Sequence, residues 1–331
     1  MMKGKAYPVD SARIPVQNPF ILVGHHTDTY PSGDGNMAPS EYPTDWIKGN
    51  DFSKTRGWKM YHGRHVPGFP AHPHRGFETI TYARKGVIDH FDSFGNSGRY
   101  ADGDVQWMVA GKGIQHAEMF PLIETEQPNP FEIVQIWLNM PKRLKMGEPA
   151  YQMHWRETIP VVPLAETNPA KNYLKVLVGR YDDAVSGSAP ASSYGFEANH
   201  HINVWDGQIE AGNHFVIPAY PTDVKVQLYV MSGSLTHKDS VIPAKTLLVY
   251  TDDEPTTFEA TADTTFMVFI GQTIDEPVFA YGPFVMTTRA EVEQAYADFE
   301  VTQFGGWPWD SHDPKIAADQ PRFSSADQLK S

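Results

Sequence analysis

Proline and glycine punctuate this chain from end to end. The 27 prolines and 26 glycines among 331 residues cut the apolar runs into pieces as long as a strand and too short for a helical core. Phe77 to Ala83 (FETITYA), Val105 to Ala110 (VQWMVA), Glu132 to Met140 (EIVQIWLNM) and Tyr173 to Gly179 (YLKVLVG) are rich in β-branched and aromatic residues, with turn residues between them. Helical periodicity is concentrated near the C-terminus. There Thr288 and Glu291 read as a capping box ahead of Val292, Ala295, Tyr296 and Phe299. The pattern predicts an all-β fold with one C-terminal helix packed on a barrel.

A weak internal repeat divides the strands. YARKGVIDH at Tyr82 to His90 and YVMSGSLTH at Tyr229 to His237 share Tyr, Gly and His at one offset, each as strand, glycine turn and strand. GDVQWMVA at Gly103 has a counterpart in AKTLLVYT at Ala244. Two similar antiparallel barrels follow, over roughly residues 17–150 and 151–286, so the chain divides as 1–150, 151–286 and a helix with tail over 287–331. Gly24 to Asn50 has little periodicity and reads as a lid or as an irregular flap packed by Tyr30, Tyr42 and Trp46. Both tryptophans of GGWPWDSHDPK should dock, and the last ~10 residues should fray.

Composition excludes several functions. A net charge of -13 repels phosphate backbones and anionic lipid, which argues against direct nucleic-acid or membrane-surface binding. With no cysteine, disulfides, thiolate nucleophiles, iron-sulfur clusters and Cys-rich zinc sites are all impossible. No signal-peptide core and no apolar run of the ~18 residues of a membrane helix is present, so we expect a cytoplasmic protein.

The chemistry is concentrated in Gly68 to Gly86 and Gly103 to Met119. Residues two apart on a strand share a face, so His72 and His74 aim two imidazoles at one point, and His116 with Glu118 repeats the geometry. Three neutral nitrogens and one carboxylate suit Fe, Mn, Co, Ni, Cu or Zn rather than Ca or Mg. An H-x-H pair is expected roughly 0.6 times by chance from 14 histidines, so the weight rests on its combination with H-x-E after a glycine turn. The adjacent pairs His25–His26 and His200–His201 would point to opposite faces of a strand and receive no role.

HPHRGFET together with GDVQWMVAGKGIQHAEM resembles the pirin family of the bicupin superfamily, and the likeness extends through EPAYQ at Glu148 to GPFVMTT at Gly282. The resemblance implies two tandem cupin barrels, jelly-roll in type. It also implies a single divalent metal, usually Fe(II), held by His72, His74, His116 and Glu118, with Mn, Co, Ni, Cu and Zn as alternatives. The general cupin motif takes a carboxylate ligand soon after H-x-H. Glu78 stands there and shares parity with His72 and His74, but is read as a partner for a ligand's second ring nitrogen or as a core group. Arg75 reads as a flanking or ion-pairing residue, and His90 and His237 as strand-turn histidines. Phe77 and Trp107 should face away from the ligands, with Met108 a bystander. Carried over by the repeat offset, His72 and His74 fall on Ala219 and Pro221, and the alignment of the halves sets Thr257 opposite His116, so the second barrel should lack a metal.

Four protein ligands leave two positions of a six-coordinate ion open, room for an organic chelate beside dioxygen. For some members the resemblance implies quercetin 2,3-dioxygenase activity: a flavonol and O2 give a depside and carbon monoxide, with Glu118 as general base. The alternative is a metal-binding regulator that acts through protein partners or redox sensing.

Overall fold

The computed structural model describes residues 4–53 and 56–328. It is a two-barrel cupin architecture, and the chain divides into two compact units that do not follow its order. Residues through Gly24, Ile136–Asn139 and Glu157–Asp275 form one unit. His25–Gln135, Met140–Arg156 and the chain from Glu276 onward form the other.

The unit carrying the histidine motifs has two facing sheets. One runs in the order Ala150–His154, Val105–Val109, Phe77–Lys85, Asn129–Asn139, Phe20–Tyr30. The other runs Phe323–Ser324, Ser97–Ala101, Val87–Asp92, Ile114–Met119, Gly68–His74. Tyr30, Tyr61, Ile88, Tyr100, Phe120, Phe131 and Ile133 form an apolar cluster within it. The first strand of the flap was not foreseen, since Gly24 to Tyr30 belongs to the Phe20–Tyr30 strand. Its side chains alternate buried and open only in the last residues, which hid the strand period. Beyond it Tyr42 stacks on Trp46 at 5.2 Å, while Tyr30 is buried and donates to the Lys59 carbonyl at 2.9 Å.

The helix Arg289–Thr302 forms as its sequence demands. Thr288 Oγ1 accepts from the Glu291 amide, the Glu291 carboxylate accepts from the Thr288 amide, and Val292 and Ala295 are buried beside Phe284, Met286 and Phe304. The tail then docks: Trp309 donates to the Asp92 carbonyl at 2.9 Å and packs on Phe91. Arg99, buried, makes two bonds to Asp89 at 2.6 and 2.8 Å and donates to the carbonyls of Ile316, Ala317 and Gln320. The expected fraying is therefore corrected as far as the structure reaches. Phe323–Ser324 pairs with Arg99 and Gly98 as a strand, because Arg99 holds the preceding tail in place; residues 329–331 lie outside the described residues.

The other unit repeats the plan. Its larger sheet contains Thr246–Tyr250, Val224–Ser232, Thr264–Gln272 and Asn203–Ile209 in that order, with Gly4–Pro8 added beside Thr246–Tyr250. Gly86 and Gly233, equivalent in the repeat, both adopt positive φ (83° and 77°) at their strand turns, where a side chain would be strained. Its interior is filled by Trp205, Phe215, Phe258 and Phe266, with Phe215 stacked on Phe266 at 4.3 Å. Burying each such ring contributes about 1.5–3 kcal/mol. The repeat offset drifts here. The strand opposite Thr256–Ala260 is His214–Ile217, with Val216 facing Thr257, so Ala219 and Pro221 fall in the loop beyond it. The change in connecting-segment length between the halves accounts for the shift.

Candidate metal centre

Strand pairing brings the two histidine motifs together. Gly68–His74 lies antiparallel to Ile114–Met119 with His72 opposite His116, and a register irregularity lies between Phe69 and His72. Gly68 permits this approach: its φ is +131°, and a Cβ there would lie 2.4 Å from the Glu118 carbonyl oxygen. The ring centroids of His72, His74 and His116 are 4.4 to 5.0 Å apart, and one nitrogen from each lies within 4.8 Å of the others. Among the described residues this is the one cluster of His, Asp and Glu able to share an ion.

Backbone carbonyls orient two of the rings. His72 Nδ1 is 2.9 Å from the Pro70 carbonyl and His74 Nδ1 is 3.4 Å from that of Pro283. A carbonyl only accepts, so each Nδ1 carries the hydrogen and Nε2 keeps a lone pair for the cluster. Both nitrogens of His116 are buried and lack a protein hydrogen bond, an arrangement that costs free energy unless something else binds there. Burial pushes His72 down to about 4 and holds His74 and His116 well below the ordinary histidine range. All three are therefore neutral donors at pH 7, and the donor set fits a first-row transition metal.

Glu118 sits beside the trio, with Oε2 3.7 Å from His116 Nε2. Its carboxylate accepts from Gln135 Nε2 at 3.1 Å and Thr81 Oγ1 at 3.3 Å. Burial pushes its pKa up, while Gln135, His90 and Thr81 pull the other way. Thr81 and Gln135 were not singled out from the sequence. Their signal was a polar residue within a largely buried strand, in FETITYA and EIVQIWLNM.

The other expectations divide. Glu78 is buried and its carboxylate accepts from Trp107 Nε1 at 2.6 Å, the core-satisfied role that was one of the two expected of it. Phe77 does not face away from the ligands, since its ring meets that of His74 at 5.0 Å. The Phe77 shift has a local cause. Gly76, at φ +83°, turns the chain from one sheet into the other, so strand parity does not carry across it. Lys145 pins this turn, donating to the Gly76 and Val285 carbonyls at 2.7 and 3.0 Å. Arg75 is structural, paired with Asp298 at 2.7 Å and lying over Phe304. His90 lies closer than expected, its ring 5.6 Å from His116 and its Nε2 3.5 Å from Asp92. His25 pairs with Glu132 at 3.0 Å, and His237 donates from Nδ1 to the Thr257 carbonyl at 2.8 Å.

Tandem cupin barrels, one holding a histidine trio on paired strands and its twin packed with aromatic rings, define a bicupin protein with one candidate metal centre. The chain belongs to the pirin family: the Pirin model matches residues 44–138 and the model of the Pirin C-terminal cupin domain matches residues 204–305. A Pseudomonas aeruginosa relative named "Putative quercetin 2,3-dioxygenase" is 37% identical over 238 residues, covering 72% of this chain and 79% of its own. A pirin-like protein of Caulobacter vibrioides is 35% identical over 240 residues, covering 72% of this chain and 82% of its own. A crystal structure of quercetin 2,3-dioxygenase from Acinetobacter baumannii superposes with a TM-score of 0.70 at 29% identity, over 91% of this chain and 97% of that one. Among the described residues no helix is long and apolar enough to cross a membrane.

Proposed function

We propose that this chain is a metal-dependent dioxygenase of the pirin type, cleaving a flavonol such as quercetin with O2 to a depside and carbon monoxide. The observation that carries the reading is the neutral imidazole trio with the orphaned nitrogens of His116 at its centre. The relatives named for quercetin 2,3-dioxygenase support the same reaction class.

His72, His74, His116 and Glu118 would hold one divalent ion, Fe(II) first, with Mn, Co, Ni, Cu and Zn open to the same donors. When bound, the ion supplies Lewis acidity to an acidic hydroxyl and, if redox-active, a site for dioxygen. The chain's own residues then have distinct tasks. The Pro70 and Pro283 carbonyls keep the His72 and His74 protons on Nδ1. Glu118, made more basic by burial, takes the proton of the flavonol 3-hydroxyl, and Gln135 and Thr81 hold its carboxylate in place. The sealed strands Phe77–Lys85 and Ile114–Met119 limit water around that transfer.

Oxygen uptake by the Fe(II)-loaded protein with quercetin tests the reading, alongside metal analysis. One O2 consumed per flavonol lost is the expected result. A protein with its metal bound that consumes none would overturn it and favour a metal-binding interaction or redox-sensing role.

A further inference from the structure

A row of aromatic rings leads from the surface to His72. Phe52 is 45% exposed and meets the His62 ring at 5.1 Å. His62 meets Phe69 at 5.6 Å, and Phe69 meets His72 at 6.2 Å. Each step lies within the range of aromatic pairs. The inner end is rigid: Phe69 packs on Tyr61 at 5.2 Å and Phe120 at 6.0 Å, and Tyr61 is tied to Asp28 by a 2.6 Å hydrogen bond. At the outer end Phe52 keeps much of its apolar surface in water, a cost that a bound ring would relieve.

His62 gives the row a polar mark. Its Nδ1 is 2.9 Å from the Gly49 carbonyl, so Nδ1 carries the hydrogen and Nε2 is left as an acceptor. The exposed row thus combines aromatic rings with a hydrogen-bond acceptor, chemistry that matches a hydroxylated aromatic ring.

We propose that Phe52, His62 and Phe69 are specificity-determining residues: they take the ring of a multi-ring aromatic chelator that lies remote from its metal-binding oxygens, with His62 Nε2 accepting from a phenolic hydroxyl on that ring. This rests on the metal-site reading above and extends it, because it selects among chelators. A single-ring chelator reaches the trio without touching Phe52. Phe52, His62 and Phe69 then form the recognition wall.

Calorimetric titration of the full-length Zn(II)-loaded protein separates recognition from turnover. Three probes are compared: quercetin, 3-hydroxyflavone, whose remote ring bears no hydroxyl, and the single-ring 3-hydroxy-4-pyranone. Phe52→Ala should weaken quercetin and 3-hydroxyflavone by about tenfold and leave the pyranone within about twofold. His62→Phe should weaken quercetin by about five- to tenfold but not 3-hydroxyflavone. Phe52→Trp should restore tight binding, and the melting midpoint and zinc content of each variant are measured so that lost recognition is told from lost folding. The proposal is overturned if both variants bind quercetin like wild type, if the pyranone is weakened equally, or if wild type binds none of the three. Oxygen uptake by the Fe(II) form is read separately. Row-dependent binding without uptake removes the dioxygenase reading alone, and uptake with row-independent binding removes the recognition wall alone.

Discussion

Glu118→Gln is the substitution that most directly tests a proton-accepting carboxylate. The wild-type oxygens accept from Gln135 at 3.1 Å and Thr81 at 3.3 Å. An amide of the same shape can keep its oxygen toward Gln135 and turn its NH2 toward Thr81, whose hydroxyl rotates to accept. At most one hydrogen bond is weakened, at ~1 kcal/mol, and the desolvation that pushes the Glu118 pKa up disappears with the charge. The variant should therefore fold, with its unfolding free energy within about 1 kcal/mol of wild type. Turnover should not survive. A positioned general base contributes about 10²- to 10⁴-fold, or roughly 3 to 5 kcal/mol of barrier. The assay is oxygen uptake with quercetin at saturating Fe(II), with iron per chain measured on the same sample so that weakened metal binding is not mistaken for slowed proton transfer. Full turnover by a fully metallated variant would refute Glu118 as the base. Lost turnover that returns when iron is restored would show that the carboxylate serves only as a ligand.

Arg99→Leu strands the Asp89 carboxylate in the interior and frees the tail carbonyls, so urea unfolding should show a loss of about 3–5 kcal/mol, and a loss below ~1 kcal/mol would contradict the clamp. Gly68→Ala forces a Cβ against the Glu118 carbonyl at an unfavourable φ, with an expected cost of at least ~1–3 kcal/mol and weaker zinc retention in equilibrium dialysis; unchanged retention would show that the strand pairing tolerates the shift. Burial lowers His26 to about 4 from 6.5, so between those values the unfolded chain binds more protons and the stability due to neutral His26 is full above pH 6.5 and lost as pH falls toward 4. The pH slope of stability over that range should flatten in His26→Gln relative to wild type, and parallel profiles would exclude the effect.

Local periodicity was enough for much of the fold and for three histidines on neighbouring strands. Strand-length apolar runs fell where strands formed, and the Thr288–Glu291 box opened the C-terminal helix, because both depend on contacts a few residues apart. The i, i+2 spacing likewise placed His72 and His74 on one strand and His116 on another, and the three rings meet. What lay beyond reach required long-range closure. Parity across Gly76 misassigned Phe77, since a turn between sheets breaks the period on which such reasoning rests. The Pro283 carbonyl behind His74 is 209 positions away, and Gln135 comes to Glu118 from a strand in the opposite sheet. No local pattern encodes such partners; they are chosen when two sheets close on one interior and each buried polar atom must find whatever donor or acceptor the packing leaves beside it.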